Sequence, residues 1–95
     1  MYQVKKRDGK VIAFDIAKIV DAIKLAFEAQ QKQYNESIID FLALKVTSDF
    51  EPKVKNDVVE VEDIQDSVET VLVQAGYADV AKAYILYRRD RKSVV

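Results

Sequence analysis

Val4-Lys5-Lys6-Arg7-Asp8-Gly9-Lys10, followed at once by Phe14-Asp15-Ile16-Ala17-Lys18-Ile19, is the stretch around which the rest of the chain is organised. Asp8-Gly9 is one of the few dipeptides that accept the positive φ angles of a tight two-residue turn. The flanks, Tyr2-Gln3-Val4 and Val11-Ile12-Ala13-Phe14, carry β-branched and aromatic residues of the kind strands prefer, so the stretch reads as a β-hairpin. A helix follows with Asp15 as its cap, because a carboxylate just before the first turn can accept from backbone N–H groups that lack a partner within the helix.

Lys18 is out of place in a helix built only for stability. With Asp15 as the cap it falls on the third helical position, where the helix dipole disfavours a cation by about 0.3–1 kcal/mol. Lys6 and Arg7 come from the adjoining strand, so three cations converge on one helix N-terminus. Free N–H groups and converging cations describe a site for a polyanion, most simply a phosphate chain. The alternative is a solvated basic hairpin whose Lys18 faces water.

Ninety-five residues make one domain, spanning 1–95, in which most of the apolar residues must share the core. Charged residues are 33% and hydrophobic ones 49%, ordinary for a soluble, helix-rich chain. The sequence has no Cys and no His, which excludes disulfides, thiolate metal sites and cysteine catalysis, and removes the commonest general base and metal ligand. No signal peptide and no membrane-length apolar run is evident, so the expected compartment is the cytoplasm, with no membrane partner. Residues 1–24 hold six Lys/Arg against three Asp, a balance of +3, which leaves −4 for the rest of a chain whose net charge is −1. A local positive end on a neutral body suits a small anionic ligand and speaks against nucleic acid as a partner.

Ile16, Ile19, Val20, Ile23 and Phe27 recur at helical spacing over 16–29. Asn35 caps a second helix, whose stripe is Ile38, Ile39, Leu42, Val46 and Phe50, joined by Phe41 and Leu44. Pro52 closes it, by pushing the preceding residue out of the α region, and Lys53–Asp57 is a polar loop. Val58-Val59-Glu60-Val61 is a short β-branched run that must pair with the hairpin. A third helix starts near Glu62-Asp63, carries Ile64, Val68, Val71 and Leu72, and stops at Gly76. A fourth covers 79–91, where Val80, Ala81, Ala83, Tyr84, Ile85 and Tyr87 take up most of the circumference and predict the most buried helix. The expected fold class is α+β, mostly α: a four-helix bundle capped by a three-stranded sheet made of the hairpin plus one short strand.

Nucleophile elbows, His-containing dyads and Walker loops are all missing, and two glycines cannot build a Gly-rich phosphate cradle. Asp63-Asp66 and Glu60-Glu62 read as helix-start and strand-surface charges rather than a carboxylate pair for catalysis, and the tyrosines as core or rim. A binding module is therefore favoured over an enzyme. A helical protein-interaction module, with the hairpin as a docking surface, is a competing reading.

The order of four motifs goes further. Val4-x-Lys6-Arg7-Asp8-Gly9, Phe14-Asp15-x-x-Lys18-Ile19, Val61-Glu62-Asp63-Ile64-Gln65-Asp66-x-Val68 and Ala81-Lys82-Ala83-Tyr84-Ile85-x-Tyr87-Arg88 together resemble the ATP-cone domain, the nucleotide-sensing module at the N-terminus of many ribonucleotide reductases. The stretch from Asp63 to Arg89 looks most like the anaerobic, class III ribonucleoside-triphosphate reductases. A nucleotide-responsive repressor of reductase genes carries the same module, but behind a cysteine-rich zinc ribbon, and this chain has no Cys.

The resemblance implies ATP or dATP bound under the hairpin against the first helix, with Mg2+ accompanying the triphosphate. Val4, Phe14 and Ile19 match the family's apolar positions around the adenine, and Lys6, Arg7 and Lys18 those that hold the phosphates. Asp15 matches a position near the ribose. Gln65 and Arg89 match further polar positions near the nucleotide. Relatives often carry Thr where this chain has Val61, and valine can neither cap the third helix nor offer a hydroxyl to the base. The role implied is a non-catalytic regulatory domain of a larger reductase, in which ATP permits activity and dATP shuts it down through homo-oligomer change.

Overall fold

A computed structural model describes residues 2–92, with side chains through residue 88. The described residues form β1 (Gln3–Lys5), β2 (Val11–Ala13), α1 (Ile16–Ala29), α2 (Glu36–Phe50), a 3₁₀ turn (Glu51–Lys53), β3 (Val58–Glu60), α3 (Val61–Gln74) and α4 (Ala78–Lys92). The sheet order is β2-β1-β3, with β1 antiparallel to β2 and parallel to β3. Val4 is opposite Ile12 on one side and Val59 on the other. Side chains alternate along strands, so this row turns one apolar face of the sheet toward the helices. Val4 and Val59 are buried there.

The hairpin forms with a different turn from the one its sequence suggests. Gly9 N–H donates to the Lys6 carbonyl at 2.9 Å, and Lys6 N–H to the Lys10 carbonyl at 2.7 Å. Only Gly9 has positive φ, at 90°. The loop is thus three residues, Arg7-Asp8-Gly9, closed by a glycine in the left-handed region rather than a two-residue Asp8-Gly9 turn. The extra residue gives the tip room to carry Arg7, and Asp8 Oδ1 accepts from Lys10 N–H at 3.0 Å.

Asp15 caps α1: its Oδ1 accepts from Ala17 N–H at 3.0 Å. α1 ends without Gly or Pro. Gln31 takes the left-handed conformation at φ 53°, while Lys32 and Gln31 donate to the Phe27 and Glu28 carbonyls, a Schellman closure. Asn35 caps α2 through Oδ1 to Ile38 N–H. Glu51 keeps α-helical angles before Pro52, so the chain passes from α2 into the 3₁₀ turn instead of being pushed extended. The polar loop contains a further tight turn at Asn56-Asp57, both at positive φ, with Lys55 and Val58 exchanging hydrogen bonds. Val61 is the first residue of α3 rather than the end of the strand.

The core runs between the sheet face and the four helices, through Ile23, Phe27, Ile39, Leu42, Val46, Phe50, Val68, Leu72 and Val80. Tyr2, Phe14 and Phe50 meet edge to face at 5.6–6.2 Å between ring centres, tying the hairpin to the end of α2. Phe27 does the same with Tyr34 and Tyr77. Some stripe residues face solvent. Phe41 is 56% exposed, Leu44 63% and Ile16 36%, because the α2 stripe is narrower than its apolar count and Ile16 begins its helix beside the cap. α4 is not the most buried helix among the described residues: Val80, Ala81, Ala83 and Tyr84 are buried, α2 buries five residues, and Leu86 is exposed.

Candidate functional site

The hairpin, the start of α1, α3 and α4 all contribute residues to one site. Between them is a cavity of about 240 Å³. Its apolar wall comes from Val4 and Ile12 of the sheet, Phe14 before α1, Ile19 and Ala22 on α1, and Val61, Ile64 and Val68 on α3. Tyr84 and Tyr87, one turn apart on α4, complete it, with rings 6.1 Å apart. Lys6, Asp15, Lys18 and Gln65 contribute the charged and polar groups of the lining. An apolar cleft with a few convergent polar groups is the usual form of a small-molecule site.

Each polar group has a local reason for its position. Lys6 follows β1 directly and is the last residue before the loop. Asp15 spends Oδ1 on the helix cap, and its other oxygen has no hydrogen-bond partner among the described residues. Lys18 stands one turn along from that cap, and its backbone N–H donates to the Asp15 carbonyl at 3.1 Å. Lys6 and Lys18 form no ion pair among the described residues, although such pairs are made by Arg7, Lys24, Lys32 and Arg88. Burial pushes the Tyr84 hydroxyl well above the usual phenol range, with Arg88 pulling the other way, so it stays protonated. Arg88 itself is held by Asp66 and Glu69 on α3, which outweigh the effect of burial on its charge.

A second groove of about 300 Å³ adjoins the cavity and shares Lys6 and Val61 with it. Lys5, Arg7, Glu60 and Glu62 supply the rest of its lining. Arg7 is committed there: its Nε meets Glu62 Oε1 at 3.1 Å and its Nη2 donates to Gln65 Oε1 at 2.8 Å. Gln65 thus links this groove to the cavity, which it also lines. At the start of α3, Glu60 occupies the cap position without a side-chain hydrogen bond.

Eight of the ten residues singled out from the sequence line this one cavity: Val4, Lys6, Phe14, Asp15, Lys18, Ile19, Val61 and Gln65. Arg7 stands outside its lining, joined to it through Gln65. Arg89 lies in α4 by its backbone, and its side chain falls outside the described residues. Sequence reasoning missed Ile12, Ala13, Ala22, Ile64, Val68, Tyr84 and Tyr87 as lining. The one available signal was the Tyr84-x-x-Tyr87 spacing, which puts two amphipathic rings on one helix face. A separate apolar groove of about 320 Å³ runs between α2 and α3, and none of the hairpin residues reaches it.

Residues 2–93 match the family described as the ATP cone domain. The chain is 37% identical over 89 residues to a vitamin B12-dependent ribonucleoside-diphosphate reductase of Mycobacterium tuberculosis, covering 94% of this chain and 12% of the relative. It is 40% identical over 93 residues to a ribonucleoside-diphosphate reductase subunit alpha of Chlamydia pneumoniae, covering 90% and 9%. Against an anaerobic ribonucleoside-triphosphate reductase of Haemophilus influenzae it is 33% identical over 90 residues, covering 95% and 12%. The chain belongs to the ATP-cone family. It spans about a tenth of the length of these curated relatives, which are ribonucleotide reductases of three kinds.

Proposed function

We propose that the cavity under the hairpin holds an adenine nucleotide, ATP or dATP, and that the chain is the allosteric activity-sensing domain of a ribonucleotide reductase. One observation carries the reading. An apolar cleft large enough to take a heterocycle in part opens onto two lysines, Lys6 and Lys18, that form no ion pair among the described residues. A lysine at a helix start, as Lys18 is, carries a cost that an anionic ligand removes, and Lys6 adds a second cation to the same lining. In this reading the base packs against Val4, Phe14, Ile19 and Val61, and Asp15 meets the ribose. Lys6, Lys18 and Arg7 hold the phosphates, and Gln65 and Arg89 add polar contacts. Magnesium travels with the triphosphate, held by phosphate oxygens and water.

The chain itself catalyses nothing in this proposal. It responds to ATP and dATP, which differ by one hydroxyl, and passes the difference to the rest of a cytoplasmic parent enzyme as a change of homo-oligomeric assembly, ATP permitting activity and dATP stopping it. Such a switch requires the two ligands to differ in affinity between two states. The test is a calorimetric titration of the chain with ATP, dATP and GTP in magnesium. ATP and dATP are expected to bind and GTP to bind more weakly. Absence of adenine-nucleotide binding at millimolar concentration by the folded chain would overturn the proposal.

A further inference from the structure

Arg7 is the one cation of the hairpin engaged in an ion pair among the described residues. Its side chain is only 18% exposed, and both acceptors belong to the first turns of α3, 55 and 58 residues further along the chain. The contact therefore ties the hairpin tip to the start of α3. The acceptors are unlike. Gln65 is neutral and half-buried, whereas Glu62 is charged and 56% exposed.

We propose that Glu62 is an internal competitor for Arg7, holding the guanidinium in the ligand-free chain and giving it up when a phosphate chain arrives. The inference rests on the nucleotide reading above and adds a regulatory step to it. A guanidinium presents N–H donors in a rigid planar fork that suits one two-oxygen acceptor. Here the Nε and Nη2 donors are divided between two side chains. A phosphate taking both donors makes the bidentate, charge-assisted pair that this arrangement lacks; to do so it must displace the Glu62 carboxylate from Nε and take over or share Nη2 with the neutral Gln65 oxygen. The carboxylate goes to water at little cost because it is already more than half exposed. β3 stays paired to β1, so the sheet survives while the first turn of α3 loses its side-chain tie to the hairpin. Occupancy of the phosphate site is thereby read at the start of α3. Ligands whose phosphates fall short of Arg7 leave the tie in place.

The experiment titrates ATP with magnesium, and separately adenosine, into the 95-residue chain as wild type, Glu62→Gln, Asp63→Asn, Arg7→Gln and the Arg7→Gln/Glu62→Gln double variant. Melting curves confirm that each is folded. Glu62→Gln is expected to tighten ATP binding by about 1.5- to fivefold, the value of a half-exposed ion pair, and to leave adenosine unchanged. Asp63→Asn removes the same charge one residue on, where no ion pair is made among the described residues, and is expected to change neither. In the Arg7→Gln background the gain from Glu62→Gln disappears. A gain that persists without Arg7, or that Asp63→Asn matches, overturns the proposal in favour of general charge repulsion, and so does the lack of any gain. A wild-type chain that fails to bind ATP at all overturns the nucleotide reading itself.

Discussion

Asp15 and Lys18 occupy one helical turn and act in opposite senses. Asp15 satisfies an N–H of that turn, while Lys18 adds a charge the turn does not favour. The first is expected to matter for stability: Asp15→Ala should lower the unfolding free energy by about 0.5–2 kcal/mol, with Asp15→Asn retaining most of it, read from denaturant curves. An equal loss in both variants would mean that the cap bond is not what Asp15 contributes. At this scale the sequence was informative wherever chemistry is local. Asp15 and Asn35 were readable as caps because a cap acts on residues two or three away. Arg7 was readable as a cation but not as a committed one, since Glu62 and Gln65 come from a distant part of the chain. Tyr84 and Tyr87 were readable only as apolar helix positions, because the same stripe serves a packed core and a cavity wall.

At the scale of elements, the start of α1 and the hairpin both line the cavity, and Ala22 lines it one turn along α1 from Lys18. Ala22→Leu fills part of the cavity without touching any charge. Since packing extra methylenes into filled space costs about 1–3 kcal/mol, the variant should bind ATP about fivefold or more weakly while keeping its melting temperature. Unchanged affinity would place the nucleotide on the basic surface instead of in the cavity. The helices were legible from their stripes, and α1 falls on 16–29 as its spacing predicts. Apolar counts overstated α2, where Phe41 and Leu44 flank the buried line instead of joining it. The hairpin turn and Val61 were misread for a shared reason. Gly9 fits two loop lengths equally, and a β-branched residue at a strand-to-helix junction fits either element.

For the whole molecule, the order of elements and the closing of a small sheet over four helices followed from patterning, because each stripe had few places to be buried. The sheet order did not. β3 returns parallel to β1 after two helices, a pairing fixed by long-range packing. That pairing brings the start of α3 beside the hairpin and makes one cavity from residues spread between Val4 and Tyr87. The central claim is that this cavity, with two lysines that form no ion pair among the described residues, is an adenine-nucleotide site. The most direct measurement is calorimetric titration with ATP and magnesium of the wild-type chain beside the Lys6→Ala/Lys18→Ala double variant. The account predicts saturable binding by the wild type and a loss of at least about tenfold for each lysine removed, since hydrogen bonds to charged groups contribute about 1.5–3 kcal/mol each. Equal affinity in the two proteins, or no binding by a folded wild type, would contradict it.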